Sequence, residues 1–202
     1  MEKRFAQILS FLFHPLFLTF YGLIILFNSS LYISYLPPSM KKWIYIIVGV
    51  NTVIVPLSIT PVYLYRKIIS SLKMESSTER IIPLIINACL FYLTYYLLSR
   101  YNTPNVIRVY ILAGAVCIFM AIIISWKWKI SLHMIGIGAL TGAVLSISIR
   151  YRINLNLYFI VLIFISGLLG ASRLQLDAHN PGQIYSGYIL GFIIAGTMLY
   201  FL

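Results

Sequence analysis

Apolar residues gather along this chain in seven long runs, roughly 5–27, 43–64, 83–99, 109–125, 132–149, 157–171 and 184–202, divided by short polar connections. About 20 helical residues match a hydrocarbon layer of about 30 Å, so recurring runs of this kind predict helices that cross a bilayer. The pattern therefore predicts an all-α fold, a polytopic transmembrane helical bundle in one domain over 1–202, with no stretch left for a separate soluble domain. No period of 20 to 50 residues repeats, which excludes a solenoid.

Punctuation inside the runs refines the picture. Pro15 follows His14 inside the first run, which predicts a kink or a break there, and His14 itself reads as a local hydrogen-bonding residue. The N-terminus starts like a signal sequence, but its apolar run is too long and lacks a small-residue cleavage site, so a retained helix is expected. Pro37 and Pro38 predict that the connection 28–42 is not helical, and 66–80 is the longest charged connection. Gly138 with Gly142, and Gly187 with Gly191, stand four apart and predict helices whose backbones approach closely in lipid.

Composition sharpens the class. The 202 residues are 61% hydrophobic and 9% charged, with a mean hydropathy of +0.94, values that exclude an ordinary soluble protein. Fifteen Lys and Arg against four acids give a net charge of +11. In a membrane protein these point to anionic headgroups rather than to nucleic acid. Basic residues buried together would need an anionic partner that so few acids cannot supply. Cys89 and Cys117 both fall inside apolar runs and read as core residues without a disulfide.

One polar island interrupts the C-terminal third: residues 172–183, SRLQLDAHNPGQ, hold Arg173, Asp177 and His179. Alternation of seven spans puts the N-terminus and the connections near 65–82, 126–131 and 172–183 on one membrane face. That face receives Lys73, Arg80, Ser131, His133, Arg173 and His179. Asn180, Pro181 and Gln183 read as N-cap, first turn and third position of the last helix, a capping-box start that sets His179 ahead of a helix N-terminus, where an anion is favoured. Ser131 reads likewise as an N-cap, with His133 in the first turn behind it. Chemically, Lys73, Arg80 and Arg173 supply cations for phosphate oxygens, Ser131 supplies a neutral donor, and an imidazole can attack phosphorus while a second protonates the leaving oxygen. Glu2, Glu75, Glu79 and Asp177 are too few and scattered for a divalent metal, so no metal site or cofactor is expected.

Three blocks carry a family resemblance. Lys73-x6-Arg80, then Ile130-Ser131-Leu132-His133, then Ser172-Arg173-x5-His179-x3-Gln183 resemble the blocks Lys-x6-Arg-Pro, Pro-Ser-Gly-His and Ser-Arg-x5-His-x3-Asp of the type 2 phosphatidic acid phosphatase superfamily. The resemblance implies a six-helix core with an extra N-terminal helix, and a catalytic core over about 65–202. It also implies a metal-independent phosphatase acting on a lipid phosphate or diphosphate through a phosphohistidine, with His179 as nucleophile, His133 as general acid, and Lys73, Arg80, Ser131 and Arg173 on the phosphate. Polyprenyl diphosphate, phosphatidic acid and related lipids are the implied substrates. Transfer of the phosphoryl group to another acceptor, and non-catalytic binding or transport of an anionic lipid, are the alternative readings.

The chain departs from the family at Gln183, where Asp is usual, at Leu132, where Gly is usual, and at Ile81, where Pro is usual. Gln183 can accept the same ring hydrogen bond as Asp but brings no charge, which implies weaker activation of the nucleophile. Alternatively it serves only the capping box, and Asp177 or water serves His179. The motif face carries nine Lys and Arg against six opposite, or six against six once Lys73, Arg80 and Arg173 are set aside, so charge does not orient the protein. The resemblance implies the inner membrane and an extracytoplasmic site.

Overall fold

The structure is a computed structural model that describes residues 2–71, 74, 76 and 78–202. Helices α1 (Lys3–Leu12), α2 (Pro15–Phe27), α3 (Pro38–Gly49), α4 (Val55–Tyr65), α5 (Ile81–Arg100), α6 (Asn105–Ser125), α7 (Leu132–Tyr151), α8 (Asn156–Gln175) and α9 (Pro181–Tyr200) follow in order, and among the described residues there is no strand. Six stretches are long and apolar enough to cross a membrane: Pro38–Tyr65, Thr78–Arg100, Asn105–Ser125, Leu132–Tyr151, Asn156–Gln175 and Pro181–Tyr200. The chain is a multi-pass helical membrane protein. Its outward surface agrees, with Phe119, Ile123, Leu157, Ile160, Phe164, Ile189 and Ile193 all exposed, an amount of apolar surface that lipid covers comfortably.

Prolines set the helix ends, in one case against the sequence expectation. α3 begins at Pro38, five residues before the apolar run and inside the connection expected to be non-helical. Proline at the first helical position lacks only an N–H that has no intrahelical partner anyway, so Pro38 starts a helix that it could not continue. Pro56 falls just after a π-helical turn, Val50–Ile54, that joins α3 to α4. A proline deprives the carbonyl one turn before it of a partner, and a widened turn accommodates that loss without ending the span.

The first run divides as the His14-Pro15 pair predicts. α1 and α2 meet at a 58° bend. α1 presents Lys3, Arg4 and Gln7 on one side, exposed Phe5, Ile8 and Leu12 on another, and buried Ala6, Leu9 and Ser10 on the third. That three-sided division suits a helix lying at the membrane surface with one flank against the bundle. It packs on α8, and α2 packs on α7.

α7 is the central helix, with 61% of its span buried against 22–39% for the other five. Its closest neighbour is α9, and glycine makes that approach possible. A Cβ on Gly191 would lie 2.0 Å from the carbonyl oxygen of Ile135, and one on Gly138 would lie 2.2 Å from that of Tyr188. The small-residue pattern read from the sequence is thus the α7–α9 seam, and at its end Ser131 N–H donates to the carbonyl of Gln183 at 3.3 Å. The starts of both helices are thereby fixed side by side. Both cysteines are free, with Cys117 buried as expected but Cys89 facing outward, a correction to its reading as a core residue.

Candidate functional site

Three connections that the sequence placed on one face do meet there. The 3-10 turn Thr78–Arg80 leads directly into α5 and buries Arg80, which is 7% exposed. Its Nη1 donates to the carbonyl of Ile130 at 3.3 Å and its Nε to that of Met74 at 3.2 Å. Arg80 therefore does not solvate a loop, as a basic residue in a charged connection could. Its position is set by backbone carbonyls, and no carboxylate among the described residues pairs with it. Lys73 lies outside the described residues.

Arg173 sits within the last turn of α8, which runs on to Gln175, rather than in the connection where the polar island began. A cation in the last helical turn is favoured by the helix dipole. The side chain is half-buried and its Nε is buried with no hydrogen-bond partner among the described residues. It lies close enough for its charge to act on His14, Arg80, His133 and His179, which makes it the common neighbour of the cluster.

His179 is 8% exposed and stands immediately ahead of α9. Asn180 caps that helix through Gln183 N–H at 2.9 Å, and Gln183 Oε1 accepts the Asn180 N–H at 3.2 Å, so the capping box is present as the local sequence predicts. The same Oε1 lies 3.1 Å from His179 Nδ1, and the carbonyl of Lys129 lies 3.2 Å from it. Gln183 thus caps the helix and holds the imidazole at once, which the sequence reading had set as alternatives. Asp177 is exposed and in the left-handed region at φ 50°; it is not what holds His179.

Those contacts decide the tautomer. Both oxygens facing Nδ1 belong to carbonyl groups and can only accept, and the Asn180 N–H fixes which end of the Gln183 amide is the oxygen. Nδ1 therefore carries the proton, and the lone pair is on Nε2. Burial pushes the ring down to about 4 from its ordinary 6.5. The Gln183 bond works in the opposite direction, while the Arg80, Arg173 and Lys129 charges add to the depression. At neutral pH the ring is an uncharged base in a cationic setting.

His133, in the first turn of α7, donates from Nε2 to the Ser10 carbonyl at 3.1 Å. Its ring meets that of His14 edge to face, with centroids 5.3 Å apart. His14 does play the local role expected of it, since its Nδ1 accepts from Leu16 N–H at 3.4 Å and caps α2. The sequence reading nonetheless missed its position, because the bend between α1 and α2 carries it onto the site face. Ser131 occupies the N-cap position of α7, but its side chain makes no capping bond. Its Oγ is fully buried and has no partner among the described residues, and the same holds for Oγ of Ser10. Buried hydroxyls are normally paired.

Among the described residues, no three His, Cys, Asp or Glu side chains come together as a metal-binding set. The cluster instead offers two guanidinium groups, two hydroxyls and three imidazole rings, with no carboxylate among the described residues paired to them. Such a set is complementary to a group bearing several acceptor oxygens and negative charge. Fold and site together define a polytopic helical membrane protein with a buried cationic, histidine-rich site at one end of the bundle. Comparison with family models, with curated proteins and with solved structures finds no match to this chain.

Proposed function

We propose that this protein is a metal-independent phosphatase of lipid phosphates or diphosphates, of the type 2 phosphatidic acid phosphatase kind, working at the extracytoplasmic face of a cell inner membrane. The observation that carries the reading is His179: neutral, its Nδ1 proton held by Gln183 and Lys129 carbonyl oxygens, its Nε2 lone pair left for attack, with Arg80 and Arg173 nearby. In the first step Nε2 bonds to phosphorus as the bond to the lipid oxygen breaks. The developing charge on His179 stays at Nδ1 against the two carbonyls, and the equatorial oxygens lie against Arg80, Arg173 and the Ser131 hydroxyl.

The departing alkoxide needs a proton. His133 commits Nε2 to Ser10, so once the negative charge of a bound phosphate draws a proton onto the ring, Nδ1 is the atom that releases it. In the second step water attacks the phosphohistidine, its proton returns to His133 Nδ1, and the N–P bond breaks to free phosphate. A lipid substrate fits the surroundings. An apolar cavity of about 340 Å³ between α2, α7 and α8 is lined by Leu12, Phe13, Ile137 and Leu140 among others. Ile137 and Leu140 follow His133 by one and two turns on the same helix face, so a tail in the cavity would leave its headgroup beside the imidazoles.

The test is phosphate release by the purified protein in detergent with EDTA present, from a panel of lipid phosphates, alongside His179→Ala. Release that resists EDTA, falls to background in the variant and is blocked by vanadate is the expected result. A properly folded parent that releases phosphate from none of them would sink the phosphatase reading and leave anionic-lipid binding in its place.

A further inference from the structure

The N-terminal bend contributes a residue that no motif contains. We propose that His14 is a third imidazole of the site, which contacts the substrate phosphate as a neutral hydrogen-bond donor on the side of His133 and Arg173. The proposal rests on the phosphoryl-transfer reading for the identity of the anion, but its geometry stands separately.

The tautomer is again fixed by the backbone. Leu16 N–H donates to His14 Nδ1, so in the neutral ring the proton is on Nε2, and no acceptor among the described residues takes it. His133 is in the opposite state, having already given its Nε2–H to Ser10. Of the two rings in contact at 5.3 Å, only His14 therefore has an uncommitted N–H in the neutral form. The donor is also not alone. Ser10 Oγ, Ser131 Oγ and Arg173 Nε are buried without partners among the described residues. They are linked around the same pair of rings: Ser10 through its carbonyl on His133, Ser131 two residues before His133, and Arg173 through its charge on both histidines. Buried donors left unpaired are costly unless something supplies acceptors. A phosphate supplies only acceptors, and as many as four oxygens.

Local sequence explains why His14 can hold this position. As the N-cap of α2, ahead of Pro15, its backbone is extended, φ −62° and ψ 140°. Its side chain leaves the helix end toward α7 and α8 instead of lying along the helix. The same break that bends the first run by 58° thus delivers the ring to the site. His14 would share the phosphate with Arg173 and keep the leaving oxygen near His133. No proton transfer is assigned to it.

The experiment measures binding of inorganic vanadate to the intact protein in detergent by calorimetry, for the parent, His14→Asn and His14→Phe, with melting temperatures alongside. Asn retains N-cap capacity but lacks the ring; Phe retains ring packing against His133 and Phe17 but lacks the donor. The expected result is that both variants weaken vanadate binding by roughly tenfold or more, the loss typical of one hydrogen bond to a charged group, while His14→Asn melts like the parent. If His14→Asn binds vanadate as tightly as the parent, His14 only caps α2 and the proposal is overturned. If the parent binds vanadate but releases no phosphate from lipids, the phosphatase reading fails while His14 is still judged by its variants. If the parent binds no vanadate at all, both readings fall.

Discussion

Replacing Gln183 with Glu changes charge at the site while conserving its geometry. Gln183 Oε1 already takes the His179 Nδ1 proton at 3.1 Å and the Asn180 N–H at 3.2 Å, and Glu makes both bonds from the same position of a capping box. What the variant adds is a negative charge in contact with the imidazole. An opposite charge at that range raises a histidine by about 1–3 pH units, each worth about 1.36 kcal/mol of differential stabilisation. His179 stands at about 4 in the parent, so the variant should bring it to roughly 5–7. Only the unprotonated ring attacks, and the acid limb of kcat/KM follows the free enzyme's nucleophile. The parent's limb should fall near pH 4, and that of Gln183→Glu should move upward by about 1–3 units. A pH series of phosphate release between 4 and 8 reads this directly. Gln183→Leu supplies the reverse case: Nδ1 keeps only the Lys129 carbonyl, and the loss of a hydrogen bond worth about 0.5–1.5 kcal/mol should lower turnover roughly 2- to 10-fold. An acid limb that stays in place in Gln183→Glu, or a Gln183→Leu protein with the parent's rate and profile, would refute the assignment of His179 as the base held by Gln183.

Two further outcomes follow from packing. Ser131→Ala removes a buried hydroxyl that makes no hydrogen bond, so the melting temperature should hardly change, while vanadate inhibition weakens by roughly 5- to 10-fold, about one hydrogen bond; a variant with unaltered inhibition would show that the hydroxyl does not face phosphate. Gly191→Ala puts a Cβ where the Ile135 carbonyl oxygen lies 2.0 Å away, and since backbone must move, it should cost at least the 1–3 kcal/mol typical of overpacking. Melting and activity should fall together, because the α7–α9 seam holds Ser131 beside Gln183; activity retained at a lowered melting temperature would separate the seam from the site.

Much of the site was legible because its determinants are local. The capping box at Asn180 and Gln183 lies within four residues, and the spacing of Gly187 and Gly191 shows a close helix face whatever the partner helix is. Membrane alternation then placed the regions of Arg80, Ser131, His133, Arg173 and His179 together. What the sequence did not carry is how each side chain ends up satisfied. The sequence assigned Arg80 to a phosphate without showing what would position it, and the carbonyl of Ile130, 50 residues away, is what fixes it in the interior. A serine before a helix reads as a cap, yet Ser131 leaves its hydroxyl unused. Gln183 showed two roles as alternatives because only the fold shows one oxygen accepting two protons.

The sequence by itself determined the class: long apolar runs cannot be dissolved in water, and helices are how such runs satisfy their backbone in lipid. It determined also where the chain breaks, since proline and the N-cap residues act on their own neighbours. Only the tertiary structure decided that the bend at His14 faces His133, and that a carbonyl at Ser10 holds a ring 123 residues away. That contact depends on how α1 and α2 pack on α7 and α8. Packing of side chains across distant segments has no short-range period for a sequence to display.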